Sequence, residues 1–491
     1  MSQNNKNSTE ALLADIAEFS HLQFAELYYK LNKEEYIFSD KTGWYYYDEF
    51  NILINNRKEP SNLLNNVVIF LSKYIKEEMM KLSFEQANYK ENHNKLFLTY
   101  KKVSQATYSS GIIKFLPSLY LDKEIDDKID AKKELFAFSD KVFNIKKGIY
   151  RDIRKNDYIL RNTKYPAPQI TNNYKLIDKL LFSIFEDKEI VDYFLLITAL
   201  SLFTNKYEKL YILTGSGRNG KGVLSTLINK ALGDYYLTGS NDLLTTKDEL
   251  KNETLAKAKN IKYLAISEPA EDGEREPKFN LTMVKKLTGR DKISTRGMYQ
   301  SSFEYIPDFT MFISCNNQPK VPETNEAIRN RFRFIHFPFT FVDKPKLPSE
   351  RKIDVDLKDR IDNETEYRDT LICYLLFLVS QDYDKIKIRE PKKCTEFKQS
   401  YFNDNNDVGN FLEKYFDITN DKNDRIGASS IFDLYTSDKE FSNMSITKFG
   451  KELTNNKIAK IKDGSIYYVG LTRKKEKVEF VEDSKKSSLD L

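Results

Sequence analysis

The residues best suited to chemistry lie in one glycine-rich stretch, GSGRNGKG, at residues 215–222. Its glycines let backbone N–H groups turn toward a single point, and a lysine adds an ammonium group. An apolar run precedes the stretch and a helical pattern follows it, so a helix N-terminus would add positive charge. The stretch therefore predicts a phosphate-binding loop for a nucleotide. The predicted nucleotide-binding residues are Gly215, Ser216, Gly217, Arg218, Asn219, Gly220, Lys221, Gly222 and Val223.

One position departs from the usual phosphate-loop pattern, which has Ser or Thr directly after the lysine. Here Gly222 follows Lys221, so the hydroxyl that usually ligates Mg²⁺ is missing. Mg²⁺ retains several waters in most sites, and a water could take the place of the hydroxyl. The alternative is a site that no longer hydrolyses nucleotide.

Polar residues follow two further apolar runs. Glu268 ends the run in IKYLAISEPAED, and Asn316 ends the run in FTMFISCNNQPKV. A carboxylate there can hold Mg²⁺ through water or polarise an attacking water, and an amide can orient that water. The alternatives are solvation of a strand end for Glu268 and a turn before Pro319 for Asn316.

Arginines follow in AIRNRFRFIHF, residues 327–337. An arginine that reaches the γ-phosphate of a neighbouring subunit stabilises transition-state charge and couples hydrolysis to assembly. Arg331 is the first candidate and Arg329 the second, and a surface salt bridge is the alternative for each.

The elements that must position these residues alternate between strand and helix from residue 209 to about 340, which predicts an α/β domain with parallel strands. Residues 171–206 carry apolar residues at helical spacing. Before them, two hairpins are expected, with turns at Thr42-Gly43 and Lys147-Gly148. Residues 1–30 are expected to be irregular and partly helical.

The bulk composition sets limits on the class of protein. Among 491 residues, 40% are hydrophobic and the net charge is only +5, so any nucleic-acid surface must be local. Three widely spaced cysteines provide neither a disulfide framework nor a zinc motif. The polar N-terminus lacks a signal peptide and no apolar run is long enough to span a bilayer, so a soluble, intracellular, cytoplasmic protein of a bacterial host is expected.

The order of these motifs resembles the superfamily III helicases of the AAA+ ATPases, closest to the phage, plasmid and poxvirus type of primase-helicase. The segments that carry the resemblance are GSGRNGKGV, LAISEPAE, VKKLTGRDKISTRGMYQSSFEYIPDF, FISCNN and AIRNRFRFIHFPF. The third is the most specific, because in this family it leads into a β-hairpin that contacts DNA in the channel of a ring. His-x-His pairs and a zinc motif are missing, which argues against a nicking or priming activity.

The resemblance implies a role for each matched residue. Lys221 is the phosphate-loop lysine, Glu268 the acid that holds Mg²⁺ through water, Asn316 the sensor, and Arg331 or Arg329 the arginine finger. The hairpin would run from Lys292 to Pro307. The implied DNA-contacting residues of the whole segment are Lys286, Arg296, Met298 and Tyr299.

Residues 407–472 resemble a winged helix. SITKFGKELTNN would be the recognition helix, capped by Ser445, and the wing would turn at Asp463-Gly464. Residues 445–475 carry eight basic and two acidic side chains, a net charge of +6 that suits duplex phosphates; a solvated lysine-rich face is the alternative. The predicted DNA contacts here are Lys448, Lys451, Lys460 and Lys462.

Together these observations predict an α/β protein with an AAA+ core. The expected parts are an α+β N-terminal region (1–170), an ATPase domain with a preceding helical collar (171–345), a helical connector (346–406), a winged helix (407–472) and a disordered tail (473–491). The expected function is an ATP- and Mg²⁺-dependent DNA helicase that forms a homohexamer, unwinds origin DNA 3′ to 5′ and works beside a separate primase or polymerase. A packaging motor or loader, and a non-enzymatic or ATP-switched origin-binding protein, are the rival hypotheses.

Overall fold

The computed structural model describes most of the chain. The described residues are 16, 18–56, 58, 60, 62–82, 84, 88–203, 207–240, 242–244, 253–267, 279–297, 302–316, 326–381, 388–404, 406–419, 421–441 and 444–474. Among them, no helix is both long and apolar enough to cross a membrane. All three cysteines are buried free thiols.

Among its described residues, the N-terminal region combines six helices with two small antiparallel sheets, and both expected hairpins are present. The helix His21–Asn32 begins at a Ser20–Gln23 capping box and buries Phe24 and Ala25 completely, so it is more ordered than the sequence suggested. The elements are α1 His21–Asn32, β1 Tyr36–Ser39, β2 Gly43–Tyr47, β3 Leu53–Asn56, α2 Leu63–Met80, α3 Tyr89–Val103, α4 Ala106–Ile113, α5 Leu116–Leu119, α6 Ile125–Lys128, β4 Leu135–Ala137, β5 Lys141–Asn144 and β6 Ile149–Asp152.

The central part alternates between helices and strands, as the sequence predicts. Two short 3₁₀ turns, Lys155–Asp157 and Gly233–Tyr235, accompany it. Its elements are α7 Lys175–Phe185, α8 Lys188–Ser201, β7 Leu210–Thr214, α9 Lys221–Leu232, β8 Tyr236–Gly239, α10 Glu253–Lys257, β9 Tyr263–Ile266, α11 Leu281–Thr288, β10 Ile293–Thr295, β11 Phe303–Tyr305, β12 Thr310–Cys315, α12 Glu326–Arg331 and β13 Phe332–His336.

Five of these strands form a parallel sheet in the order β13-β7-β12-β9-β8. The strand β7, which leads into the glycine-rich loop, therefore lies between two strands that come about a hundred residues later in the chain. In this register Thr214 pairs with both Cys315 and His336. The carboxyl ends of three strands thus meet at one edge, where ligands of open α/β sheets bind.

Alternate residues of each strand pack into two separate cores, one on each face of the sheet, since successive side chains of a strand point to opposite faces. On one face, four aromatic rings stack across four neighbouring strands. Tyr211 stacks on Phe312 at 5.1 Å, Phe312 on Tyr263 at 4.0 Å, and Tyr263 on Tyr236 at 5.3 Å between ring centroids. We call these four rings the aromatic ladder. The continuous burial of β7 on both faces explains its unbroken apolar run.

The segment expected to be a helical connector packs closely on this sheet domain. It contains β15 Glu350–Lys352, α13 Leu357–Asn363, α14 Glu366–Ser380 and α15 Lys392–Asp404, and β14 Thr340–Val342 lies just before it. Leu371, Leu375 and Leu376 of α14 share the core of α8 and α9, and Tyr401 and Phe402 of α15 pack on β13. The strand pair β14–β15 is parallel and was not expected.

The C-terminal unit has its own core, built around Phe411 and Phe449. Its elements are α16 Asp407–Tyr415, β16 Phe416–Ile418, β17 Arg425–Gly427, α17 Ala428–Ser437, α18 Ile446–Asn455, β18 Ala459–Asp463, β19 Ser465–Val469 and β20 Leu471–Arg473. Ser445 caps α18 by accepting the N–H of Lys448, and Gly464 makes the turn between β18 and β19, as the sequence predicts. Of the predicted tail, residues 475–491 lie outside the described residues.

Candidate active site

The glycine-rich loop joins β7 to α9 at the carboxyl edge of the parallel sheet. Two of its glycines have a positive φ, +146° at Gly215 and +91° at Gly220. A Cβ at Gly215 would stand 2.6 Å from the carbonyl oxygen of Phe337 and 2.6 Å from Nδ2 of Asn219. Only glycine fits at Gly215, because both its backbone angle and its close neighbours exclude a side chain.

Lys221 is the first residue of α9 and is only 8% exposed. Its Nζ donates to the carbonyl oxygen of Gly215 at 2.5 Å and to Oδ1 of Asn316 at 3.2 Å. Asn316 directly follows β12, the strand beside β7, so the sheet order brings the two predicted side chains together. An ammonium group and an amide at one helix N-terminus suit an anionic ligand and a water beside it.

Asn219 supplies a second indication that the loop is built for an anion. Its side chain is only 3% exposed, and its Oδ1 accepts the backbone N–H of Lys221 at 3.3 Å. Its Nδ2 has no hydrogen-bond partner among the described residues, which is costly for a buried amide. A donor left unpaired beside Gly215 fits the phosphate of a nucleotide, so the loop residues fit the predicted ligand.

The loop is also held from the side by β14. Ser216 Oγ lies 3.0 Å from Thr340 Oγ1, and the N–H of Phe341 donates to the carbonyl oxygen of Arg218 at 2.8 Å. These contacts fix the middle of the loop, whose side chains at 216 and 218 are otherwise exposed.

His336 is a residue of this site that sequence reasoning missed. It ends β13, the other neighbour of β7, and its Nδ1 lies 3.4 Å from Thr214 Oγ1. Burial, and to a smaller extent the cation of Lys221, lower the pKa of His336 below its usual 6.5, so the ring is neutral at neutral pH. The rule that polar residues at strand ends meet at one edge could have found it, as it found Asn316.

The predicted metal site is only partly visible. Glu268 lies outside the described residues, and Gly222 has open space around it, with no atom within 4 Å of a Cβ built there. In the described part of the chain, no group of three or more His, Cys, Asp or Glu side chains could hold a metal ion. Magnesium binding by Glu268 therefore stays a prediction.

The two candidate finger arginines do not lie beside Lys221. Arg331 directly precedes β13, whose first residue pairs with Leu210 at the start of β7, so it lies at the edge of the sheet opposite the loop. Its Nε donates to Thr288 Oγ1 at 3.1 Å, and its Nη2 contacts Glu208 at 3.4 Å. Arg329 lies over the ring of Phe402 at 5.1 Å. Neither side chain can reach the loop of its own chain.

The predicted hairpin is present as the antiparallel pair β10–β11, with Ile293 opposite Tyr305. Arg296 follows β10 directly and is exposed, and Lys286 is half-buried on α11. Met298 and Tyr299 lie outside the described residues. The hairpin therefore exposes at least one cation near its turn.

The four predicted lysines of the C-terminal unit are exposed, and Lys451 and Lys460 line one groove. Lys448 and Lys451 are exposed on α18, and Lys460 and Lys462 are exposed on β18. A groove of about 550 Å³ lies between α18 and the β18–β19 pair, with Tyr468 and the half-exposed Ile446 among its lining residues. A basic helix beside a basic strand pair suits the phosphates of a nucleic acid.

Two family models match the chain. The model described as D5 N terminal like matches residues 24–186, and a family of unknown function, DUF5906, matches residues 213–331. The second match contains the glycine-rich loop, Asn316 and both candidate finger arginines.

Curated viral proteins are similar over longer stretches. "Putative helicase L207/L206" of Acanthamoeba polyphaga mimivirus is 26% identical over 467 residues, which is 89% of this chain and 47% of that protein. "Putative helicase 184R" of Invertebrate iridescent virus 6 is 26% identical over 357 residues, 66% of this chain and 36% of that protein. The chain spans less than half of the length of either relative.

Among solved structures, the apo C-terminal region of NrS-1 aligns with 92% of this chain and 98% of its own, at 14% identity and a TM-score of 0.45. The sequence matches alone confirm the resemblance to helicases of the viral and phage type.

Proposed function

We propose that this chain, a relative of the viral and phage-type helicases, is an ATP-driven DNA helicase with an AAA+ core. The observation that carries the proposal is the contact between Lys221 and Asn316 at the carboxyl edge of the parallel sheet. It supports a nucleotide site in which one group binds phosphate and its neighbour orients water. The exposed hairpin and the basic C-terminal unit support DNA as the partner.

In the proposed site, Lys221 exchanges the carbonyl oxygen of Gly215 for the β- and γ-phosphates of ATP. Asn219 Nδ2 and the loop N–H groups complete the phosphate contacts, and Asn316 orients the attacking water. Mg²⁺, when bound, neutralises charge on the phosphates, and Glu268 would hold it through water. His336, neutral beside Thr214, leaves the positive charge of the site to Lys221.

The position of Arg331 supports assembly into a ring as part of the proposal. Because this residue lies at the edge of the sheet opposite its own loop, it can serve as a finger only for the site of a neighbouring copy. A closed homo-oligomer, a hexamer by resemblance, supplies each loop with the Arg331 of the next subunit, and Arg329 is the reserve.

DNA would contact two surfaces. A single strand lies in the ring channel against Arg296, Met298 and Tyr299 of the hairpin, with Lys286 behind it, and moves 3′ to 5′ by resemblance. Residues 407–472, as the proposed winged helix, would hold origin duplex through the lysines of α18 and β18. A replication role in a host cell, beside a separate primase or polymerase, completes the proposal.

The test is ATP hydrolysis measured with and without single-stranded DNA, together with strand separation of a forked substrate. Lys221→Ala should abolish both activities. Lys230→Ala is the matched control, since Lys230 lies on the same helix but contacts Asp362 away from the loop. Full hydrolysis by Lys221→Ala, or none by the parent protein, would reject the enzyme.

A second candidate is an ATP-switched origin-binding protein, and Gly222 is the observation that favours it. Without a hydroxyl on the metal, nucleotide could bind and change DNA affinity without turnover. The helicase and the ATP-switched protein can be distinguished by filter binding, which measures the affinity for origin DNA with ATP and with a non-hydrolysable analogue. Equal DNA release in both, with no phosphate produced, supports the switch; turnover that DNA stimulates supports the helicase.

A further inference from the structure

The N-terminal region touches the base of the β10–β11 hairpin through one carboxylate. Lys133 Nζ lies 2.8 Å from Asp308 Oδ2, and Arg290 Nη2 lies 3.5 Å from the other carboxylate oxygen. Arg290 stands three residues before β10, and Asp308 stands three residues after β11. Both legs of the hairpin and a lysine from outside the sheet domain therefore meet at Asp308.

Unlike a surface ion pair, this contact has one nearly buried member. The side chain of Asp308 is 10% exposed and that of Lys133 is 39% exposed. Exposed pairs contribute little because water screens both charges. A nearly buried carboxylate that loses one of its cations is left without full compensation, so the contact matters more than most lysine–aspartate pairs of this chain.

Further contacts hold the N-terminal region against the sheet domain. The Arg161 guanidinium donates to the carbonyl oxygens of residues 234, 257 and 259 at 2.9–3.1 Å. Lys259 Nζ and Asn260 Nδ2 donate back to the carbonyl oxygens of Asp126 and Ile129 at 2.7 and 3.0 Å. Four of these five bonds join the N-terminal region to the segment that leads into β9, and the fifth joins it to the turn before β8.

The same segment also contacts β11, the strand of the hairpin that leads to Asp308. Tyr305, the last residue of β11, donates its hydroxyl hydrogen to the carbonyl oxygen of Leu255 at 2.6 Å. Residues 255–260 are thus bonded to the hairpin at one end and to the N-terminal region at the other. The ion pair between Lys133 and Asp308 adds a direct contact between the N-terminal region and the hairpin.

We infer that the N-terminal region positions the hairpin against the sheet domain, with Lys133 and Asp308 as the positioning residues. The part of this inference that concerns DNA rests on the proposed function. A hairpin whose base is fixed transmits movement of the sheet domain to a bound strand, whereas a hairpin that is free at its base does not. The region matched by the D5 N terminal like model would thus have a structural role within the same chain, which is to position the hairpin.

The first test measures hydrogen exchange of the full chain and needs no activity. Lys133→Ala should speed amide exchange in β10 and β11 by about tenfold and leave β7 and β12 unchanged. Lys133→Arg, which keeps the cation, should behave as the parent, and Lys133→Glu should exceed the effect of alanine. Unchanged exchange in Lys133→Ala would overturn the inference.

Lys132→Ala is the matched control. Lys132 is the neighbouring lysine, 40% exposed, and its partner Asp157 lies within the N-terminal region at 2.9 Å. If the inference holds, this variant speeds exchange around Asp157 and not in the hairpin. Equal effects of both alanine variants on the hairpin would mean that Lys133 acts only through general stability, and would overturn the inference.

The second test uses the coupling between DNA and hydrolysis. Lys133→Ala should lose most of the stimulation by single-stranded DNA while nucleotide affinity and basal hydrolysis stay at the parent values, and Lys133→Arg should restore the stimulation. Stimulation that survives in Lys133→Ala would overturn the coupling role. A parent protein without any hydrolysis would instead reject the proposed function, and the exchange experiment would still decide the structural inference.

Discussion

Two glycines of the loop should respond in opposite ways to the same substitution. Gly215 has φ +146° and no room for a Cβ, whereas Gly222 has no atom within 4 Å of a Cβ and lies in the first turn of α9. Alanine at Gly215 should therefore destabilise the sheet domain and remove nucleotide binding. Alanine at Gly222 should keep both the fold and the binding.

The magnitudes follow from the local geometry. At Gly215, an unfavourable backbone angle costs about 1–3 kcal/mol. Contacts of 2.6 Å with a backbone oxygen and a buried amide add about 1–3 kcal/mol of overpacking. At Gly222, alanine gains up to about 1 kcal/mol, because glycine loses more conformational entropy in a helix. With about 2–4 °C per kcal/mol for a domain of this size, Tm should fall by roughly 10 °C at Gly215 and rise by about 2 °C at Gly222.

The assay combines thermal unfolding with titration of a fluorescent ATP analogue. Gly217→Ala serves as a control within the loop, since a Cβ at Gly217 also meets no atom within 4 Å. Similar Tm values for the Gly215→Ala and Gly222→Ala variants would refute the described geometry of the glycine-rich loop. So would unaltered nucleotide affinity in Gly215→Ala.

Three further results are expected. Burial opposes ionisation of Asp157, but hydrogen bonds led by that from Arg151 lower its pKa from 3.8 to about 2, so its ionised form stabilises the fold above about pH 4 and this contribution is lost as pH falls through 2. Urea unfolding should then show the parent losing about 2 kcal/mol more than Asp157→Asn between pH 5 and pH 2; parallel losses would contradict this. Phe312→Ala, which empties the middle of the aromatic ladder, should cost about 3–5 kcal/mol in the same experiment, against less than about 1.5 for Phe312→Leu. In DNA binding measured against salt, Lys448→Ala and Lys460→Ala should each lower the slope of log K by about 1, and an unchanged slope would exclude phosphate contacts there.

Local features of this chain could be predicted from the sequence because their causes are local. Ser445 caps α18 through its own hydroxyl, Gly464 forms a turn through its own backbone freedom, and the apolar spacing of 221–232 gives a helix at those residues. The proximity of Lys221 and Asn316 could also be predicted from the sequence, since polar residues at the ends of parallel strands share one edge of the sheet.

Features that depend on strand order could not be predicted. Nothing in the sequence says that β12 inserts between β7 and β9, or that β13 pairs with the other side of β7. The packing of α14 was hidden for a different reason. Its buried residues, such as Leu371, Cys373 and Leu376, surround the helix and contact two neighbouring helices, so no single apolar stripe marks its partner.

The strand order also has a consequence for how the chain folds. The strand β7 pairs with β12 on one edge and with β13 on the other. Leu210 therefore has no strand partner until Met311 has been synthesised, and it lacks the second partner until Phe332 has been synthesised. Such distant pairing closes long loops and slows folding. During synthesis, the four apolar residues of β7 have no strand partner until the ribosome has passed residue 315, and they lack the second partner until it has passed residue 336. A chain that stops before β12 therefore exposes an unpaired apolar strand. This strand is the first site at which chaperones would bind or aggregation would begin.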